Sequence, residues 1–114
     1  MCALNESPIN QYQREAAKTA VYPASYAVLY PAIGLANEAG ELLGEIKKIL
    51  RDDGGKLSDE RREKIKSEAG DVCWYLAVLL NDCGLKLDAV LAYNLEKLQG
   101  RAQRGTLQGS GENR

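Results

Sequence analysis

Glu38 and Glu41 stand three residues apart around Ala39-Gly40, and Glu68 and Asp71 stand three residues apart around Ala69-Gly70. Each pair lies in a segment that reads as amphipathic helix, where positions i and i+3 share a face, so each presents two carboxylates side by side. Glycine in a helix interior costs about 1 kcal/mol relative to alanine, and two glycines in matching places need a reason. The simplest is close approach of the two helices, bringing Glu38, Glu41, Glu68 and Asp71 to one point. Converging carboxylates repel one another unless cations sit among them. An all-oxygen acidic cluster suits a hard cation, Mg²⁺ with Mn²⁺ as a substitute. One such pair on an exposed helix is ordinary solvation, but two, each flanked by core-forming residues, point to a metal site. Glu45 and Lys48 share the first pair's face and read as a surface ion pair. Trp74 reads as core, and Cys73 as a small buried hydrophobe.

Composition narrows the chemistry. With 114 residues the chain is expected to form a single all-α domain over residues 1–104, followed by a flexible, glycine-rich tail over 105–114. A formal charge of −1 from many charges of both signs suggests neither a nucleic-acid surface nor a membrane partner. The longest apolar run, Val72 to Leu80, is too short for a bilayer, and the N-terminus lacks the basic and apolar regions of a signal peptide. The expected location is therefore cytoplasmic. Cys2, Cys73 and Cys83 show no C-x-x-C spacing and fit reduced thiols. The absence of His removes Ser-His and Cys-His nucleophiles, H-E-x-x-H zinc sites and Glu-x-x-His di-iron bundles.

Four helices must position the carboxylates. After a loose leader over 1–8, the first is expected over about 9–21, stopped by Pro23. Pro31 suits the first turn of a second, running to about 50 with Ile33, Leu35, Leu42, Leu43, Ile46, Ile49 and Leu50 as apolar faces. Asp52-Asp53-Gly54-Gly55 breaks it. Ser58 is a good N-cap for a third helix, with Asp59 and Glu60 in its first turn. This helix turns apolar on all sides from Val72 to Leu80, which calls for cover from a partner subunit. Gly84 ends it. A fourth helix, about 87–103, has Leu87, Val90, Leu91, Leu95 and Leu98 as its expected buried stripe. The expectation is a four-helix bundle-like domain that oligomerises through its helices.

On the fourth helix Asn94, Lys97 and Arg101 share one face. Opposite an acidic metal site, Lys and Arg would donate to phosphate oxygens that metal ions leave uncovered, as a polyphosphate requires. Glu38-Ala39-Gly40-Glu41, Glu68-Ala69-Gly70-Asp71 and Asn94-Leu95-Glu96-Lys97-Leu98 with Arg101 resemble the E-x-x-E, E-x-x-D and K-L-x-x-R pattern of MazG-like nucleoside triphosphate pyrophosphohydrolases, of the all-α NTP pyrophosphatase group. The resemblance runs from about Tyr12 to Arg101 and includes Tyr30-Pro31. Many members carry Glu before the first pair where this chain has Asn37. That neighbour points about 100° away on a helix, so Glu38 and Glu41 keep their face.

The resemblance implies cleavage of an NTP or dNTP between its α and β phosphates to a monophosphate and pyrophosphate. It implies that Glu38, Glu41, Glu68 and Asp71 hold Mg²⁺, which lowers the pKa of bound water and neutralises phosphate charge. Glu41 would be the proton acceptor, and Lys97 and Arg101 the phosphate clamp, with Asn94 and Lys64 assisting. Tyr12, Gln13, Thr19 and Tyr22 would meet the nucleobase, or serve as ordinary core and surface residues. Similar proteins form dimers or dimers of dimers with sites near the subunit interface. Alternatives are a phosphoribosyl-ATP pyrophosphohydrolase-like or dUTP/dCTP-specific member of the group, and a non-enzymatic helical interaction module.

Overall fold

Ser7 starts the first helix: its hydroxyl accepts from the Asn10 amide at 3.1 Å, and Pro8 fills the first turn, where a missing N–H costs nothing. In the computed structural model, residues 5–114 are described, and the expected leader is thus structured at its Ser7 end; Cys2 lies outside the described residues. Helix α1 spans Pro8–Lys18, α2 Leu29–Asp52, α3 Asp59–Asp82 and α4 Leu87–Arg104, with one 3₁₀ turn at Ala24–Tyr26. The described residues contain no strand, so the all-α expectation holds. None of their helices is long and apolar enough to cross a membrane.

Sequence accounts for most helix ends. Ser58 caps α3 by accepting from the Arg61 amide at 3.1 Å. Gly54, Gly55 and Gly84 take left-handed φ of 65°, 77° and 73° at the turns after α2 and α3. Helix α1 stops short of Val21 because the Thr19 hydroxyl and amide both turn back to the Ala16 carbonyl. Val28, a β-branched residue at φ 70°, leads into α2, a conformation that costs about 1–3 kcal/mol. Asp82 holds it: one carboxylate oxygen accepts from the Val28 amide at 2.9 Å and from the Tyr22 hydroxyl at 2.6 Å. Burial and that bond push the Tyr22 phenol up to about 12.

Helix α3 is the central element, packed most extensively on α2, less on α1 and least on α4. The core is Ala16, Ala77, Val78 and Leu87, with Ala20, Trp74 and Leu80 against it. Gln13 is buried within this core. Its amide nitrogen donates to the Ala77 and Leu85 carbonyls at 3.1 and 2.9 Å, and its oxygen accepts from the Leu87 amide at 2.9 Å. Both amide protons are thereby used, so Gln13 ties α1 to the α3–α4 turn and has none left for a nucleobase.

Two packing expectations are corrected and one is sharpened. Helix α3 runs between α1 and α2, which bury Ala77 and Val78, while Val72, Trp74, Leu76, Leu79 and Leu80 keep part of their surface exposed. The uncovered apolar faces belong to α2 and α4: Leu43 is 66% exposed, Leu50 73% and Leu95 57%, with Ile33, Leu91 and Leu98 also exposed. The radius of gyration, 17.3 Å, exceeds the roughly 13 Å of a compact chain of this length. Cys73 is exposed rather than buried.

The glycines of the acidic pairs are not contact points either: a Cβ at Gly40 or Gly70 would meet nothing within 4 Å. The close approach occurs six residues before Gly40, where a Cβ on Gly34 would overlap the Tyr75 ring. That ring stands edge-on to Trp74, with centroids 4.9 Å apart. Gly34→Ala should therefore destabilise the fold by about 1–3 kcal/mol through overpacking. Gly40→Ala, in open helix, should stabilise it by about 0.5–1 kcal/mol. Urea denaturation of the two variants measures both, and equal effects would refute the placement of the contact.

Candidate metal centre

Helices α2 and α3 are clamped at the end far from Gly34 by an ion-pair network. Arg61 donates to both carboxylate oxygens of Asp53 at 2.9 and 3.2 Å and to Glu45 at 3.3 Å. Glu45 also meets Lys48 at 3.4 Å, as its spacing suggests, but it is buried and is not a surface pair. The Arg61 hydrogen bond holds the Asp53 carboxyl below the usual carboxylate range. This contribution to stability is therefore present near neutral pH and lost as pH falls through the Asp53 titration.

Between the two anchors, Glu38, Glu68 and Asp71 each bring a carboxylate oxygen within 4.8 Å of the others. Octahedral Mg²⁺ holds oxygens at about 2.1 Å, hence roughly 3–4 Å from one another, so small side-chain rotations close the set. The donor chemistry fits a hard divalent cation. Burial, then the negative charges of Asp71, Glu68 and Glu41, push the Glu38 carboxyl above its usual range, with a hydrogen bond to Glu68 adding to the effect. Glu41 stands outside the converging three, on the solvent side of α2, yet near enough for its charge to reach Glu38.

The remaining candidates divide. Tyr12 lies beside the cluster: burial, then the neighbouring Cys73 and Asp71, raise its phenol above the ordinary value. Lys64 pairs with Glu60 at 3.7 Å on the exposed side of α3. Lys97 and Arg101 line a cavity of about 670 Å³ formed only by α4 and the C-terminal segment; no residue of α2 or α3 lines it, and neither does Asn94. Within one chain the basic pair and the acidic cluster thus do not share a pocket. Arg101 is buried, at 6% exposure, and its Nε has no partner.

A second cavity, about 350 Å³, is lined by Thr19, Tyr22, Tyr26, Tyr30, Trp74 and Tyr75, with Val21 and Pro23 at its margin. Tyr22 and Tyr30 stack at 5.0 Å, and Trp74 Nε1 donates to the Thr19 hydroxyl at 2.8 Å. Tyr75 stands one helical turn beyond Asp71, close enough for the charges of Glu38 and Asp71 to raise its phenol after burial and Tyr30 have done so. Reading the sequence missed Tyr75 and Arg61, the ionic role of Asp53, and the aromatic role of Tyr30 beyond its place in the resemblance. The signal for Tyr75 was Gly34, a third interior glycine one turn before Glu38.

A family model describing the MazG nucleotide pyrophosphohydrolase domain matches residues 31–106, which include both acidic pairs and the basic pair of α4. The chain belongs to that family. It is also 43% identical over 112 residues to the "Gene 37 protein" of Mycobacterium phage L5, covering 93% of this chain and 98% of that protein. No solved structure matches it. The MazG assignment carries nucleotide pyrophosphohydrolase activity at the level of the domain.

Carboxylate crowding in this MazG domain has a measurable sign. A carboxyl raised by folding stabilises the fold below its unfolded pKa and loses that contribution as pH rises through the folded value. In EDTA, Glu38→Gln should melt with the parent at low pH. It should melt progressively higher than the parent as pH rises through the Glu38 titration. Parallel melting curves at every pH would show that the three carboxylates do not crowd one another.

Proposed function

We propose that this MazG domain is a cytoplasmic Mg²⁺-dependent pyrophosphohydrolase that cleaves an NTP or dNTP between the α and β phosphates. The observation that carries the reading is the convergence of Glu38, Glu68 and Asp71 from two helices, with Glu41 one turn away. These carboxylates would hold the dication, with Mn²⁺ as a substitute. When bound, it neutralises phosphate charge and acidifies water. Glu41, free of the crowded three, is the proton acceptor: a water oxygen attacks phosphorus, its proton passes to Glu41, and the P–O–P electrons leave on pyrophosphate. Lys97 and Arg101 donate to phosphate oxygens and hold the chain of phosphates in line. Asn94 and Lys64 lie outside the clamp cavity of one chain and would assist only in the assembled site.

The aromatic cavity is suited to a nucleobase. Tyr75 is about 6 Å along the helix axis from Asp71, the separation a sugar and phosphate span between base and metal. Thr19 and Tyr22 line that cavity, and Tyr12 lies near Asp71 of the cluster. Supply of Lys97 and Arg101 to the acidic cluster requires a second copy, and the bare apolar faces of α2 and α4 give that copy a surface to cover, in a homodimer or dimer of dimers.

A screen of NTPs and dNTPs for released pyrophosphate should find turnover that needs Mg²⁺ or Mn²⁺ and stops in EDTA. Asp71→Asn should lower kcat at least about 100-fold with helicity intact, the scale of losing an electrostatic stabiliser. Retained activity would sink the site. Leu95→Glu on α4 should convert the assembly to monomer in sedimentation and abolish turnover, whereas an unchanged assembly would place the interface elsewhere.

A further inference from the structure

The segment 105–114, expected as a flexible tail, is instead folded back along α4 and ends on the residues assigned to phosphate. Gly105, Gly109 and Gly111 take left-handed φ of 72°, 107° and 95°, which lets the chain reverse. The Arg114 guanidinium closes the loop by donating to the Thr106, Leu107 and Gly111 carbonyls at 3.0, 2.9 and 2.8 Å. Arg104 donates to the Arg114 carbonyl at 2.8 Å. This places Glu112 on the two cations assigned to phosphate. Its carboxylate is 2.7 Å from Lys97 Nζ and 3.7 Å from Arg101, and its carbonyl accepts from Arg101 at 2.6 Å. The Glu112 carboxylate remains mostly exposed while Arg101 is buried, with Nε unpartnered.

We propose that the C-terminal segment is an internal occupant of the clamp: Glu112 takes the place of a substrate phosphate on Lys97 and Arg101, and a polyphosphate must displace it to bind. The inference rests on the reading of Lys97 and Arg101 as phosphate ligands. One carboxylate competes against a run of anionic groups, so a chain of phosphates displaces it while a lone phosphate gains little. The unpartnered Nε gives an incoming oxygen a donor that Glu112 does not use. The segment thereby offsets one of the clamp's two positive charges until a polyphosphate arrives. It also raises the selectivity of the site for long phosphate chains over orthophosphate.

Calorimetric titration of the full chain with inorganic tripolyphosphate tests this without turnover. Glu112→Gln keeps the size of the side chain and removes its charge. It should bind tripolyphosphate about fivefold more tightly than the parent, the scale of an exposed charged pair. An unchanged or weaker affinity overturns the occupant role. Lys97→Ala in the same titration reads the clamp itself. Loss of binding there, with Glu112→Gln unchanged, overturns the tail contact alone; full binding by Lys97→Ala overturns the clamp and the inference together.

Discussion

The contact between α2 and α3 sets the register on which everything else depends. Gly34 lies under Tyr75, and the two helices run antiparallel from there. Four residues onward along α2 and four back along α3 stand Glu38 and Asp71; three more in each direction stand Glu41 and Glu68. Further on, Arg61 joins Glu45 and Asp53. A steric contact at one end and an ionic one at the other therefore fix the sliding and the separation of the pair. The acidic residues fall opposite each other because both helices carry them at matching distances from the same contact. Crowding of like charge follows from that register, and after burial it is what raises the Glu38 carboxyl.

Much of this was legible in the residues. Ser58, Gly84 and the Asp-Asp-Gly-Gly break mark helix ends by local chemistry, and local chemistry survives whatever the tertiary structure does. The carboxylate spacing marked the cluster for the same reason. What failed was the assignment of which apolar face is covered. Leu91, Leu95 and Leu98 form a helical stripe, yet a stripe states only that something must cover it, not whether that is the same chain. The role given to Gly40 and Gly70 failed similarly. Interior glycine signals either close approach or tolerance, and only the neighbour across the gap, Tyr75 at Gly34, decides. The residues left Gln13 open between nucleobase contact and core, because its burial depends on three carbonyl and amide groups brought together from the far half of the chain.

The core itself explains why the chain remains open. Its buried apolar members are small, two alanines among them, and a buried glutamine and a buried glutamate share the interior. Such a core stabilises through hydrogen bonds and ion pairs that lock geometry more than through transfer of apolar area. The large side chains, Leu43, Leu50 and Leu95 among them, are left on the surface, where the same area becomes available to association.

Separation of the two charge clusters within one chain has a chemical logic. Lysine and arginine placed beside Glu38, Glu68 and Asp71 would pair with them, lower their pKa values and neutralise the field that attracts a dication. The acidic cluster instead keeps a mutual repulsion that a proton or a cation relieves, and Glu112 offsets one of the two positive charges of Lys97 and Arg101. On the proposed reading, each half would be held in a state that its own ligand improves: metal at the carboxylates, phosphate at Lys97 and Arg101. A substrate that carries phosphate and recruits metal would satisfy both at once, and an assembly that brought α4 of one copy to the α2–α3 pair of another would couple them only when that substrate bridged the gap.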